Sequence, residues 1–111
     1  MELSKIEPVK VDPESTNYLL LQVSDGTNKK MFLRAANTDE HRDILLTAMA
    51  EVGELTLKDL GGGKIYFDQE SKTIFVGGMS GTYGRAKHED AQQLLQIAFP
   101  DFDILINPIM R

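Results

Sequence analysis

The stretch Gly77-Gly78-Met79-Ser80-Gly81-Thr82-Tyr83-Gly84 lies between an apolar run, Thr73 to Val76, and a helical pattern that begins near His88. Its four glycines in eight residues allow the backbone to turn through positive φ at several points. Successive amides in such a turn can form an anion-sized concavity, to which the Ser80 and Thr82 hydroxyls add polar groups. The alternative is an ordinary strand-to-helix connection, because most glycine-rich loops only turn the chain. The stretch matches neither the phosphate loop of nucleotide hydrolases nor the dinucleotide fingerprint.

Short runs of β-branched, aromatic and aliphatic residues on both sides of this loop predict strands. Two of them, separated by the turn residues Ser24 to Asn28, form a predicted hairpin. Gly61-Gly62-Gly63 joins the next two, as a bulge or a loose hairpin. The predicted strands are Tyr18–Val23, Lys30–Arg34, Leu55–Leu57, Lys64–Phe67, Thr73–Val76 and Asp103–Ile106.

Two segments have apolar residues at helical spacing. The first begins at Asn37-Thr38-Asp39-Glu40, which has the marks of a capped helix start, and ends at Gly53. The second ends before Pro100. The predicted buried stripes are Ile44, Leu45, Ala48, Met49 and Val52 in the first helix, and Ala91, Leu94, Leu95 and Ala98 in the second.

The resulting order, β-β-α-β-β-β-α-β, predicts a single α+β domain over residues 1–111, with both helices packed on a sheet of about six strands. Residues 1–16 mix charges with two prolines and have no sustained period, so we predict an N-terminal arm there. A chain of 111 residues is too short to carry a separate cofactor-binding domain.

Composition excludes several classes of function. The formal charge of −5 argues against a nucleic acid as the main partner, because that binding relies on clustered Lys and Arg. The absence of cysteine excludes disulfides, thiolate zinc sites and thiol nucleophiles. No apolar run approaches the roughly 20 residues that span a membrane, and Met1 to Asp12 lacks the core of a signal peptide. We therefore expect a cytoplasmic monomer without a membrane partner.

His41 is the first candidate for chemistry. It lies three residues before Ile44 and four before Leu45, which places it on the buried stripe at the rim of the first helix. The dipole at a helix N-terminus disfavours imidazolium, so His41 would be neutral and able to act as a base. The alternative is a rim histidine that only packs or caps the helix.

Acidic residues near both histidines raise the alternative of a metal site. The clusters are Asp39, Glu40 and Asp43 beside His41, and His88-Glu89-Asp90. Acidic residues in a first helical turn are expected from the dipole alone, and adjacent positions point in different directions. We therefore expect no metal.

Two motifs in order, together with His41, resemble the Janus/Ocnus family, which includes protein phosphohistidine phosphatase. The motifs are Leu60-Gly61-Gly62-Gly63-Lys64-Ile65 and Val76 to Gly84 followed by His88, while His41 and Asp43-Ile44 resemble that family's catalytic segment. The resemblance runs loosely from Tyr18 to Ile106 and tightly from Leu60 to His88. It implies a phosphohistidine phosphatase-like fold with a mixed sheet, and a metal-independent hydrolase without cofactor whose substrates are phosphohistidine-containing proteins.

The resemblance also implies roles for individual residues. His41 would be the general base that activates water, or alternatively a nucleophile that forms a transient phosphohistidine. Backbone amides and the serine hydroxyl would hold the phosphoryl oxygens at Arg42, Ser80, Gly81 and Thr82. The supporting residues would be Tyr83, Gly84, Arg85 and His88. A glycine-rich loop facing a helix N-terminus would provide the positioning and charge stabilisation that phosphoryl transfer requires.

This chain departs from the family pattern at two positions. Asn17 stands where the phosphatase has a substrate-binding lysine, and Arg85 stands where a proline follows Tyr83-Gly84. Asn17 would take the phosphate-binding position but lacks the positive charge of lysine. Arg42, Arg85 or Lys87 could supply that charge instead. Three functions therefore stay open: hydrolysis of phosphohistidine, phospholysine or phosphoarginine; a non-catalytic module that binds phosphate or phosphopeptides; and a structural or regulatory partner without an anion site.

Overall fold

A mixed β-sheet with one helix on each face forms the domain. The computed structural model describes residues 2–107 and 109–110. A single 3-10 turn, Leu3–Lys5, precedes the sheet. The remaining elements, in chain order, are β1 (Val9–Lys10), β2 (Asn17–Ser24), β3 (Lys29–Ala36), α1 (His41–Val52), β4 (Thr56–Asp68), β5 (Thr73–Gly77), α2 (His88–Ala98) and β6 (Asp103–Asn107).

The six strands have the spatial order β1-β3-β2-β4-β5-β6. The outer pairs, β1 with β3 and β5 with β6, are parallel, and the three inner pairs are antiparallel. The predicted α+β class, the count of about six strands, the mixed sheet and the two helices are therefore confirmed. No helix among the described residues is long and apolar enough to cross a membrane.

Alternate residues of the strands feed two separate apolar cores. Leu19, Leu21 and Val23 of β2 pack with α1 in one core, while Tyr18 and Leu20 pack with α2 in the other. We call the two sheet surfaces the α1 face and the α2 face. Because β2 is central and helices lie on both faces, its sequence is an almost unbroken apolar run instead of an alternating one.

One prediction about the strands is wrong. Leu55–Leu57 and Lys64–Phe67 are not two strands joined by the triple glycine, since β4 runs continuously from Thr56 to Asp68. Leu19 pairs with Gly62 and Leu21 with Asp59, so Leu60 and Gly61 together face one residue of β2 and form a bulge, which is one of the two predicted alternatives for the triple glycine. Gly61 has φ +95°, a conformation that glycine adopts without a steric penalty.

The predicted N-terminal arm is part of the domain, although Met1 lies outside the described residues. Ile6 is fully buried in the core beneath α1, and Val9–Lys10 pair with Leu33 and Arg34. The observed order is therefore β-β-β-α-β-β-α-β, with the extra strand at the beginning and one strand fewer between the helices. Sequence periodicity cannot reveal a strand of two residues.

The helices agree with prediction except at their margins. His41, Ile44, Ala48 and Val52 are buried in α1, but Met49 is 51% exposed. Ala98 is likewise exposed at the end of α2. Gly53 follows α1 with φ 60°, as expected for a helix stop.

Candidate active site

The start of α1 is fixed by side chains outside the helix. The helix begins at His41 and not at the predicted Asn37, because the chain bends at Asn37 and Asp39 and Glu40 has extended backbone angles, with φ −124° and ψ 120°. The Thr38 hydroxyl accepts a hydrogen bond from the Glu40 amide at 3.2 Å and donates one to the Asp43 carboxylate at 2.7 Å. Asn17, at the first position of β2, donates its Nδ2–H to the Thr38 carbonyl. The first residue of the central strand β2 thereby helps to fix where α1, and with it His41, begins.

The His41 imidazole contacts Gly62 and Gly63 of β4. Its Nε2 is 2.9 Å from the Gly63 carbonyl oxygen. Since a carbonyl can only accept, Nε2 carries the proton and Nδ1 keeps its lone pair. A Cβ placed on Gly62 would be 2.7 Å from His41 Cδ2, so this close approach requires glycine. His41 Nδ1 has no hydrogen-bond partner among residues 2–107 and 109–110 and is not one of the enclosed polar atoms.

Burial lowers the pKa of His41 below its ordinary value of 6.5. The hydrogen bond to Gly63 opposes this shift, and the positive charge of Lys64 adds to it. His41 is therefore neutral at pH 7 and holds a free lone pair, which are the two properties of a general base.

The glycine-rich loop is attached to the strand residue that supports His41. The Gly62 amide donates to the Gly84 carbonyl, and the Ala86 amide donates to the Gly62 carbonyl, each at 3.0 Å. Tyr83 packs against the apolar core beneath α1. Through Gly62, the structure brings together His41, the start of α1 and the loop that the sequence singled out.

Within the loop, several of the predicted phosphate donors already have partners. The Ser80 amide donates to the Gly84 carbonyl and the Gly84 amide to the Ser80 carbonyl, both at 3.0 Å. The Ser80 hydroxyl accepts from the amides of Thr82 and Tyr83 at 3.2 and 3.0 Å. In this arrangement Ser80 shapes the loop, so an anion would have to compete with these bonds for its donors.

Three backbone amides at the start of α1 and in the glycine-rich loop remain without a partner. Within the part of the chain that the structure describes, the amides of His41, Arg42 and Gly81 make no hydrogen bond. Two of them lie in the first turn of α1, where unpaired amides and the helix dipole favour an anion. The Arg42 side chain, Gly81 and Thr82 are exposed.

Asn17 does not replace a substrate-binding lysine in any simple way. It is only 1% exposed and uses Nδ2 to hold Thr38. Its Oδ1 is enclosed and is the one buried side-chain polar atom without a partner among the described residues. A carbonyl oxygen can accept a hydrogen bond, but it cannot donate one to a phosphoryl oxygen.

Lys64 is the cation that sequence reasoning missed. It pairs with Asn17 across the β2–β4 ladder and projects from the same α1 face as Gly62, two residues away along β4. Its side-chain stem passes Gly78, where an added Cβ would be 3.0 Å from Lys64 Cγ. In a continuous β4, the alternation of side chains between the two faces would have placed Lys64 on the same face as Gly62. The triple glycine alone did not indicate a continuous strand.

His88 lies on the opposite face of the sheet from His41. Its Nε2 donates to the Gly78 carbonyl at 2.9 Å, and its Nδ1 accepts from the Tyr18 hydroxyl. An added Cβ on Gly63 would be 2.8 Å from His88 Cε1, which confirms that the two histidines flank β4 from opposite sides. Both nitrogens are used, so His88 anchors the entry to the loop and has no free lone pair for catalysis. Burial, with a contribution from Glu89, raises the pKa of Tyr18 and keeps its hydroxyl protonated.

Other predicted groups occupy the margins of the site. Arg85 bridges Gly62 across the β4 edge and its side chain is exposed, as is Lys87. Asp39, Glu40 and Asp43 do not converge with His41, and no group of three or more His, Cys, Asp or Glu side chains within residues 2–107 and 109–110 could hold a metal ion.

Comparison with known proteins gives one consistent result. The sequence model of the Janus/Ocnus family (Ocnus) matches residues 3–103. The chain is 33% identical over 100 residues to sex-regulated protein janus-B of Drosophila pseudoobscura pseudoobscura, covering 85% of this chain and 71% of that protein. It is 29% identical over 113 residues to janus-B of Drosophila melanogaster, covering 96% and 81%, respectively. Janus-A of Drosophila pseudoobscura pseudoobscura is 31% identical over 113 residues, covering 93% and 76%.

Proposed function

The chain belongs to the Janus/Ocnus family, and from this premise we propose that it hydrolyses the N–P bond of phosphohistidine in proteins. The observation that carries the proposal is the lone pair on His41 Nδ1, held by the Nε2–Gly63 bond above the glycine to which the Ser80–Gly84 loop is attached. A neutral base beside unpaired amides is what attack of water on a phosphoryl group requires.

The proposed reaction balances without a metal. His41 Nδ1 accepts a proton as water attacks phosphorus, the N–P bond breaks, and the imidazolium returns the proton to the leaving nitrogen. The products are histidine and inorganic phosphate. The amides of Arg42 and Gly81 stabilise the equatorial oxygens, on which charge is spread in the transition state.

Direct attack by His41 Nδ1 on phosphorus is the competing mechanism. It would transfer the phosphoryl group to His41 before water releases it. Rapid quenching of a reaction with radiolabelled phosphohistidine peptide decides between the two. General-base catalysis predicts no labelled protein at any time, whereas an alkali-stable label on His41 during turnover would establish the nucleophilic route.

We further propose that Lys64 supplies the positive charge that Asn17 cannot. Lys64→Met should lower kcat/KM for a phosphohistidine peptide by at least about tenfold, because a charge-assisted contact to phosphate is lost. Lys64→Arg should retain most of the activity. The effect should shrink with added salt, since an ammonium at the rim of a site is screened. Equal activity of Lys64→Met at low ionic strength would assign the phosphate charge to another residue.

The acidic limb of the pH profile provides an independent readout. The base must be neutral, so kcat/KM should fall with decreasing pH around a midpoint below 6.5, because burial and Lys64 both lower the pKa of His41. In Lys64→Met the midpoint should move to higher pH, since removing a positive charge favours imidazolium. The measurement is the initial rate of phosphoimidazole hydrolysis against pH. A midpoint that stays in place in the variant would contradict proximity of Lys64 to the base.

One observation favours a second function, the non-catalytic phosphopeptide-binding module. The amides of Thr82 and Tyr83 donate to the Ser80 hydroxyl, and the Ser80 amide donates to the Gly84 carbonyl, as expected of a rigid structural turn. Titration with a phosphohistidine peptide separates the two functions. Binding without release of phosphate would select the module, whereas release in the presence of a chelator supports the hydrolase.

A further inference from the structure

An uncovered apolar row lies on the α1 face of the sheet. Tyr66, Phe75 and Leu105 are direct neighbours on β4, β5 and β6. The rings of Tyr66 and Phe75 are 6.3 Å apart between centroids. Tyr66 is 57% exposed and Leu105 is 47% exposed, because α1 covers β3, β2 and the first half of β4 but not this end of the sheet. These three residues are called the apolar row.

The apolar row continues directly from the candidate active site along one strand. On its α1 face β4 presents, in order, Gly62 beneath His41, then Lys64, then Tyr66 and Asp68. At about 3.3 Å per residue, Tyr66 lies roughly 7 Å beyond Lys64. On the β5 side the Lys64 level is occupied by Met110, since a Cβ on Gly77 would be 3.0 Å from Met110 Cβ. On this face, β4 is therefore the strand that links His41 to the row.

Acidic side chains lie beyond the apolar row. Asp68 and Asp103 flank Thr73 in the next level of the same face. Among the described residues neither carboxylate has an ion-pair partner. The surface thus changes along β4 from the cationic Lys64, through an apolar level, to an acidic level about 13 Å from Lys64.

We propose that the apolar row is the docking surface for the segment of a protein substrate that flanks the phosphohistidine. This inference rests on the proposed function. With the phosphohistidine residue at the Lys64 level and its phosphoryl group directed back toward His41, an extended segment brings its second and fourth residues to the apolar and the acidic levels, because alternate side chains point to one side. The preferred substrate carries an aromatic or large aliphatic residue two positions from the phosphohistidine and a lysine or arginine four positions from it.

The size of the surface favours a peptide segment over a second copy of the chain. A stable protein dimer buries about 800 Å² on each partner, with some 20 to 30 residues a side. Three side chains make up the apolar row, and along β4 it is bounded by Lys64 on one side and by Asp68 on the other. A single extended segment matches this width and this order of charge.

The test compares kcat/KM for phosphohistidine peptides with that for phosphoimidazole, which contains the reacting bond but cannot reach the apolar row. Two peptides carry phenylalanine at the second position and lysine at the fourth position from the phosphohistidine. In one peptide these positions follow the phosphohistidine, and in the other they precede it. Control peptides carry alanine at these positions. The variants are Tyr66→Ser and Leu105→Ser, and Leu46→Ser is the matched control because Leu46 is 48% exposed on α1, away from the row.

We expect one of the two phenylalanine–lysine peptides to exceed its alanine control by at least about tenfold, as burial of one aromatic side chain allows. Tyr66→Ser and Leu105→Ser should remove most of this advantage and leave phosphoimidazole hydrolysis unchanged, while Leu46→Ser changes neither. Equal rates for all peptides, together with normal phosphoimidazole hydrolysis, would overturn the docking surface and leave the proposed function intact. Absence of phosphoimidazole hydrolysis would instead remove the proposed function. A dimer in sedimentation that Tyr66→Ser dissociates, without a peptide preference, would assign the row to self-association.

Discussion

His41→Ala should abolish hydrolysis of phosphohistidine while leaving the fold in place. Loss of a general base lowers a rate by roughly 10² to 10⁴-fold, and no other imidazole reaches the α1 face among the described residues. The ring packs at the rim of the core, and its removal leaves the Gly63 carbonyl without this partner. The stability cost should therefore lie within about 0.5 to 3 kcal/mol. Single-turnover release of phosphate gives the rate, and circular dichroism verifies the fold.

His88→Ala is the control for this experiment. His88 links the buried Tyr18 hydroxyl to the Gly78 carbonyl, so its loss should lower the melting temperature and loosen the loop. Any remaining activity should keep the acidic limb of the pH profile, because His41 is intact. Full activity in folded His41→Ala would exclude the base assignment. Disappearance of the acidic limb only in His88→Ala would transfer the role to His88.

Gly62→Ala should lower activity by about 10²-fold although it replaces no group of the proposed catalytic machinery. The new Cβ would be 2.7 Å from His41 Cδ2 and 2.8 Å from the Tyr18 carbonyl oxygen, so the imidazole or the strand must shift. A displacement of about 1 Å at a reacting group is enough for a loss of this size. Overpacking should also destabilise the fold by about 1 to 3 kcal/mol. Measurements of kcat/KM and of denaturant unfolding separate these two effects.

Gly81→Ala is the matched glycine control in the loop. A Cβ on Gly81 meets no atom within 4 Å, and its φ lies outside the left-handed region. The variant also keeps the backbone amide that would face phosphate. It should retain stability and most activity. If Gly62→Ala folds and turns over at the wild-type rate, His41 does not act from its position above Gly62.

Much of the fold could be predicted because local signals agree with the final packing. The turn residues between β2 and β3 fixed a hairpin, since Asp25 accepts the amides of Thr27 and Asn28 as such turns do. The continuity of β4 could be predicted only as one of two alternatives, because three consecutive glycines fit a loose hairpin as well as a bulge. In the structure these glycines allow His41, the loop and His88 to approach the strand closely.

The candidate site could be predicted from the sequence only in part, because some of its residues are defined by contacts between distant segments. His41 and the loop stand out through helical spacing and glycine content, which are local features. Lys64 becomes a candidate site residue only through the strand register, which places it beside Asn17. The internal bonds of Ser80 and the burial of Asn17 likewise depend on contacts between distant segments, which no spacing rule describes.

Phosphorus NMR of a phosphohistidine peptide incubated with the wild-type protein and a chelator tests hydrolysis of the N–P bond most directly. The phosphoramidate resonance should convert to that of inorganic phosphate at a rate proportional to protein concentration, and His41→Ala should leave it unchanged. A phosphoramidate resonance that decays no faster with the folded wild-type protein than without it would contradict phosphohistidine hydrolysis.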